Sequence, residues 1–447
     1  MIINGRPKPL AIVTMQNQVH TEVMSNPTLN TDNEFYNLTV NRFLKYVRFW
    51  TTSDRNNPDT PSTPGQWDLA KALIEELRSL GIKDLTLTDH CYVLAKLPAS
   101  PGKEGFPTIG FLAHMDTSEE VSGKDVKPCL VESYDGKPIA LGGPGAGSTL
   151  ILDPACDPDL AAHKGKALIH TDGTTLLGAD DKAGIAIIVG AAEYLLTHPE
   201  IPHGQIEFIF TPDEETGKGL PEFPSAEIQA KYCYTLDGGP GGELEWECFN
   251  AWAVEIQCTG ISMHLGQARG SMVNAVLMAS VYAAMLPRNE SPEATDGYYG
   301  YYCPLSIRGD VETASLDVYI RDFDLKEGER RIANLNAYAR AVEAQFPGGK
   351  VEVSSKIQYR NMKEKISQQP ETLEKLKLAY LNTGVKILEK PIRGGTDGSR
   401  LTEMGIPTPN VFTGGRNFHS RLEWLSVPEM AASCRLVTEL ARLWACN

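Results

Sequence analysis

From residue 84 onward the chain alternates short runs rich in β-branched and aromatic residues with a long apolar stretch of helical character. DLTLTD (84–89), CYVLAKL (91–97), TIGFLAHMD (108–116), QIEFIFTPDEE (205–215) and KYCYTLDGG (231–239) read as strands, and AGIAIIVGAAEYLLTH (183–198) reads as a helix set among them. A chain of this pattern buries its strands by packing helices on both faces of a sheet, so the expected fold class is α/β. Two amphipathic segments precede it, EFYNLTVNRFLKYVRFW (34–50) and GQWDLAKALIEELRSLG (65–81), the second ending on Gly81 as a helix C-terminus does.

Between about 248 and 359 the pattern changes. AWAVEIQCTG (251–260), TASLDVYIRDFD (313–324) and KVEVSSKIQ (350–358) alternate as strands, while 271–286 and 328–346 have helical character. This is a compact α+β set, expected to be a separate domain (248–359) inserted into a first one built from 34–247 and 360–447. Residues 1–33 are polar and rich in turn formers, as in SNPTLNTDN (25–33), and are expected to form a poorly ordered extension.

Composition narrows the function classes. With 447 residues and 42% hydrophobic content the chain can bury a large core. A net charge of -15, with no long basic run, argues against a nucleic-acid surface, because phosphate neutralisation needs clustered Lys and Arg. Nine cysteines at irregular spacings, with no C-x-x-C pair, read as reduced thiols, which places the protein in the cytoplasm. PLAIVTM (9–15) is too short for a secretion signal, and no stretch reaches the length of a membrane span, so no membrane association is expected.

The acidic residues fall where strands should end: AHMD after TIGFL, GADD after TTLL, PDEE after EFIFT and DGG after YCYTL. Ligands of α/β sheets gather at that edge. So many carboxylates in one place repel one another unless cations neutralise them, and His114 and His419 would add imidazole donors, so a pair of divalent metals is the expected filling. His114 and Asp116 are two apart, share a face on an extended strand, and can act as ligand and orienting partner. Alone, EE is an ordinary surface pair and DD an ordinary helix cap. The joint order HMDT, GADDKAG, TPDEETGKG, YTLDGG is what points to a metal site.

With TLLGADDKAGIA, FTPDEETGKG, YTLDGGPGGELEWECFNA, IRDFD, RGGTDGS and NVFTGGRNFH in view, the chain from about residue 38 to its end resembles the M20 family of di-metal peptidases, in its tripeptide aminopeptidase branch, peptidase T. That resemblance implies a mixed-sheet peptidase domain with an inserted lid and dimerisation domain, and two divalent ions, zinc in the first instance. It implies that Asp180 bridges both ions, that His114 and Asp237 complete one site, that Glu215 and His419 complete the other, and that Glu214 is the catalytic base. Asp181 then caps the following helix or supports the loop, and Asp116 orients His114. GISMH places His264 where a partner subunit's active site would receive it, making a homodimer the expected assembly. Arg321, Arg393 and Asn274 match substrate-binding positions, an arginine fork being suited to a peptide carboxylate. An ordinary salt bridge is the competing account of each arginine. Two positions depart from the usual pattern: Leu422 replaces a histidine after the final ligand, and Leu265 follows His264 where proline is usual. The implied activity is zinc-dependent release of the N-terminal residue from tripeptides. Another hydrolase of the family (dipeptidase, carboxypeptidase or N-acyl amino-acid hydrolase) or a non-catalytic metal-binding relative are the alternatives.

Overall fold

The computed structural model describes residues 31–142 and 150–446. The expected extension therefore lies outside the described residues, except that its last three residues open a helix, Thr31–Tyr46. Asp32–Asn447 forms one unit, and the sheets described below lie within it.

The larger sheet has eight strands, in the order 84–87, 93–97, 206–211, 109–114, 232–238, 410–412, 243–245, 388–389. Strands 206–211, 109–114, 232–238 and 410–412 run parallel, while 93–97 is antiparallel to 206–211 and 243–245 is antiparallel to 410–412 but parallel to 388–389, so the sheet is mixed. Side-chain alternation splits it into two covered faces. Ile109, Phe111, Ala113, Ile206, Phe208 and Phe210 pack under the long helices, and Leu112 and Ile209 join Tyr92, Leu94 and Leu401 on the other side. The expected two-faced α/β architecture is what forms.

Helix Ala179–Thr197 is buried on nearly every side, which explains its near-continuous apolar sequence. It lies against strands 109–114 and 232–238 and against the closing helix Val427–Trp444. Gly184 permits that approach: a β-carbon there would collide with the Leu236 carbonyl and the Asp181 carboxylate. The C-terminal Gly81 of helix Gly65–Ser79 takes the expected left-handed turn, with φ +100°.

Strands 301–309, 313–322, 250–259 and 350–359 form a second sheet, antiparallel throughout. Trp252, Val254, Ile256 and Cys258 alternate onto the face covered by helices Ala275–Ala284 and Leu325–Gln345. A third sheet joins strands 415–416, 424–426, 168–170 and 129–131. Strands this short carry little periodic signal, so hydrophobic patterning does not reveal it. It matters because 415–416 and 424–426 pair antiparallel, so the loop between them, with His419 in it, is a hairpin tip. Among the described residues, no helix is long and apolar enough to cross a membrane.

Candidate metal centre

The parallel strands of the large sheet end at one edge, and the chain delivers its acids there. His114 closes strand 109–114 and Asp116 follows it; Glu214 and Glu215 form a single 3-10 turn just after strand 206–211. Asp237 lies in strand 232–238, and Asp180 heads the buried helix, where its backbone is not yet helical.

Two donor groups result. Donor atoms of His114, Asp180 and Asp237 lie within 4.8 Å of one another, as do those of Asp180, Glu215 and His419. Asp180 belongs to both, and its two oxygens face different imidazoles: Oδ1 is 2.8 Å from His114 Nε2, and Oδ2 is 3.2 Å from His419 Nε2. Asp237 Oδ1 lies 3.7 Å from His114 Nε2, and Glu215 Oε2 lies 3.1 Å from His419 Nε2.

The electrostatics ask for cations. Burial, and then the charge of Asp180, pushes Glu215 up to about 8. Burial also raises Glu214 well above the usual carboxylate range, with Asp237, Asp397 and Glu215 adding to the rise. His419 goes the other way: burial disfavours its charge, but hydrogen bonds to Asp180 and Glu215 lift it to about 11. Glu215 Oε1 is buried with no hydrogen-bond partner. A buried carboxylate oxygen left unpaired is costly, and a metal ligand is one of the few roles that satisfies it. Carboxylate and imidazole donors around a shared Asp180 fit two divalent ions.

Supporting residues fix these groups. The Asp116 carboxylate accepts backbone N–H bonds from Glu214 (3.0 Å) and Glu215 (3.1 Å), so it holds the acidic turn, while its backbone carbonyl lies 3.1 Å from His114 Nδ1. Asp181 accepts from Gly184 and His114 backbone N–H groups, capping the helix and tying it to the His114 strand. Glu423, on the His419 hairpin, accepts backbone N–H bonds from Leu177, Gly178, Ala179 and Asp180 at 2.6–3.3 Å. One fully buried carboxylate thus locks the Asp180 loop to the His419 loop. Sequence reasoning missed this role, although Glu423 stands four residues after His419.

A cleft of about 1060 Å³ opens over the donors, and both candidate arginines line it. Their states differ. Arg321 stacks on Tyr319 and Tyr359 and spends Nη1 on the carbonyls of Trp252 and Ile320. Arg393 spends both terminal nitrogens on segment 295–299, through the carbonyls of Thr295, Gly297 and Tyr299 and the Thr295 hydroxyl. Gln358, unforeseen, lines the cleft with a buried Oε1 that lacks a hydrogen-bond partner. His264 and Asn274 are not among the residues lining it. His264 is exposed beside Leu265, and the Asn274 side chain caps helix Ala275–Ala284 by accepting from Leu277 N–H. Leu422 sits against a small apolar cluster that includes Leu160 and Trp424, surroundings that suit leucine.

A sequence profile of the peptidase family M20/M25/M40 matches residues 165–443. A peptidase T of Geobacillus sp. (strain WCH70) is 47% identical over 405 residues, covering 91% of this chain and 98% of that protein. The chain belongs to peptidase family M20/M25/M40. A peptidase T of Clostridium perfringens (strain SM101) agrees, at 47% identity over 90% of this chain and 98% of that protein. Two solved structures share the fold: the aminopeptidase PepT of Bacillus cereus (TM-score 0.69, 24% identity, 92% and 99% of the two chains) and a tripeptidase of Staphylococcus aureus (TM-score 0.72, 20% identity, 92% and 99%). Family membership and the two donor groups together make this M20 chain a metal-dependent exopeptidase of the aminopeptidase type.

Proposed function

We propose that the protein removes the N-terminal residue from tripeptides, using two zinc ions. His114 and Asp237 would hold one ion, Glu215 and His419 the other, and Asp180 both. Imidazole and carboxylate donors of this kind suit zinc. The observation that carries the proposal is Asp180, with one oxygen turned to each imidazole. When bound, such a metal pair acidifies water and polarises the scissile carbonyl. The protein's own part is to place a base: Glu214, beside the donors and held through its backbone by Asp116, takes a proton from the attacking water and returns it to the leaving amine.

Substrate length is set, in this proposal, by the C-terminal carboxylate. Arg321 supports that role, because its plate is clamped by two rings and its Nε and Nη2 are not used by the backbone carbonyls that bind Nη1. Arg393 stands in the same wall and supports the clamp by holding segment 295–299. A tripeptide reaches from the metals to a fixed guanidinium; a dipeptide falls short and a tetrapeptide overruns.

Residues 248–359 serve, we further propose, as a lid and dimerisation domain whose second copy supplies His264 to stabilise the tetrahedral oxyanion, with Asn274 nearby. Support comes from the exposed Met263, Leu265 and Leu277 around them, and from strand 301–309, a sheet edge carrying exposed Leu305 and Ile307. A cytoplasmic setting is supported by nine free cysteines, Cys129 and Cys156 among them exposed. The deciding experiment is product analysis on matched di-, tri- and tetrapeptides, with and without added zinc. The proposal expects a free N-terminal amino acid and a dipeptide from the tripeptide alone. Equal cleavage of all three, or release of the C-terminal residue, would return the protein to a broader exopeptidase or carboxypeptidase.

A further inference from the structure

Strand Glu243–Glu245 lies two strands from the Asp237 strand, with 410–412 between them, a backbone separation of about 10 Å. Asn410 spans that gap with its side chain. Its Oδ1 accepts from the Asp237 backbone N–H at 3.1 Å, and its Nδ2 donates to Glu245 Oε2 at 2.7 Å. The Glu245 carboxylate is therefore fixed, through a single buried amide, to the backbone of a metal-donor residue, and it lines the same cleft.

Its neighbours are already committed. Glu243 is paired with Lys390 Nζ at 2.6 Å and accepts from Gly239 N–H. Glu120, which also lines the cleft, lies 3.5 Å from His419 Nδ1 and near Arg55. Among the described residues, Glu245 has the Asn410 amide as its hydrogen-bond partner, and no lysine or arginine forms an ion pair with it. Burial, reinforced by Glu243, raises its carboxyl to about 8, although the Asn410 bond and the charge of Lys390 act against the rise. It is a carboxylate with room for a cation. A peptide whose first carbonyl lies at the metal donors presents such a cation close by, because the α-nitrogen is two bonds from the carbonyl carbon, roughly 2.5 Å away.

We propose that Glu245, held in place by Asn410, binds the α-ammonium of the peptide substrate and so selects free N-termini. This rests on the aminopeptidase assignment and adds to it the residue that reads the amine. The remaining oxygen, Oε1, accepts from the ammonium, giving a charge-assisted hydrogen bond at a site partly shielded from water.

The test compares trialanine with its des-amino analogue, propionyl-Ala-Ala, on the metal-loaded protein. Wild-type enzyme should favour trialanine in kcat/KM by about ten- to a hundredfold. Glu245→Gln, which keeps an oxygen for Asn410, should bind two metals per chain as before and lose most of that preference. Glu245→Asp, which keeps the charge but withdraws it, should retain an intermediate preference. Glu120→Gln should leave the preference intact. If Glu245→Gln discriminates as strongly as wild type, or if Glu120→Gln abolishes the discrimination, the amine is read elsewhere and the proposal is overturned. If wild type itself cleaves both substrates equally, the aminopeptidase assignment fails as well, and this outcome is recognisable without any variant.

Discussion

At the carboxyl edge of the eight-stranded sheet, Asp180, Asp237 and Glu215 crowd against the imidazoles of His114 and His419, whereas the four-stranded sheet offers the same cleft a guanidinium, Arg321, clamped between Tyr319 and Tyr359. The first region is a concentration of buried negative charge and is completed only by cations from outside the chain. The second carries its own positive charge, stabilised by aromatic faces and backbone carbonyls, and needs no added ion. On the proposed function the difference divides the work: bond cleavage and reading of the free amine belong to the large sheet, and reading of the C-terminal carboxylate to the small one. Changes at the metal donors and Glu214 should therefore strike turnover or metal content, and changes at Arg321 should strike the choice of C-terminus.

The largest effect is expected at Glu214. Glu214→Gln preserves shape and removes basicity, so turnover should fall by about 10²–10⁴-fold with both metals retained. Turnover assays alongside metal analysis check this; a nearly active Glu214→Gln protein would move the base to another residue.

Glu423→Ala should come next. It frees four backbone N–H groups that position the Asp180 loop, and metal affinity should weaken about 10–100-fold, read by competition with a chelator. Unchanged affinity would mean that the loop holds itself.

In the small-sheet region the expected consequence is selective. Arg321→Ala should reduce the preference for a tripeptide over its C-terminal amide by roughly tenfold or more in kcat/KM while leaving metal content untouched. Arg393→Ala should alter that ratio less, because its terminal nitrogens already hold segment 295–299. The reverse ranking would exchange the roles of the two arginines.

The smallest signal is expected from mixing. His264→Ala and Glu214→Gln chains, each inactive, should regain a fraction of wild-type activity after subunit exchange, because a hybrid pair has one complete site. No recovery despite demonstrated exchange would remove His264 from the active site.

Much of the large-sheet region was legible in the sequence. Strand periodicity located the sheet edge, and acids following four apolar runs announced a cation site, since such groups have few other reasons to be buried together. Legibility failed where function depends on partners distant in the chain. Arg321 and Arg393 look alike as residues, and only their partners show that one stacks on two tyrosine rings while the other is tied to 295–299. Glu423 reads as the end of HSRLE until the hairpin brings it beneath Gly178 and Ala179. Asp116 reads in the sequence as the partner that orients His114; the bonds its carboxylate accepts from the backbone of Glu214 and Glu215 have no counterpart in any local pattern. Gln358 lies in no motif, and Glu245, although inside YTLDGGPGGELEWECFNA, carries no sign of a role, because a polar residue on a strand is ordinary until a cleft opens beside it.

The central claim is that one carboxylate, Asp180, serves two metal ions at once. Titrating metal-free wild-type and Asp180→Ala proteins with zinc, and counting bound metal per chain, tests it most directly. The account predicts two tightly bound ions for wild type and none for the variant, because removing the bridge takes a ligand from both sites. A wild type that binds a single ion, or an Asp180→Ala protein that still holds two, would contradict it.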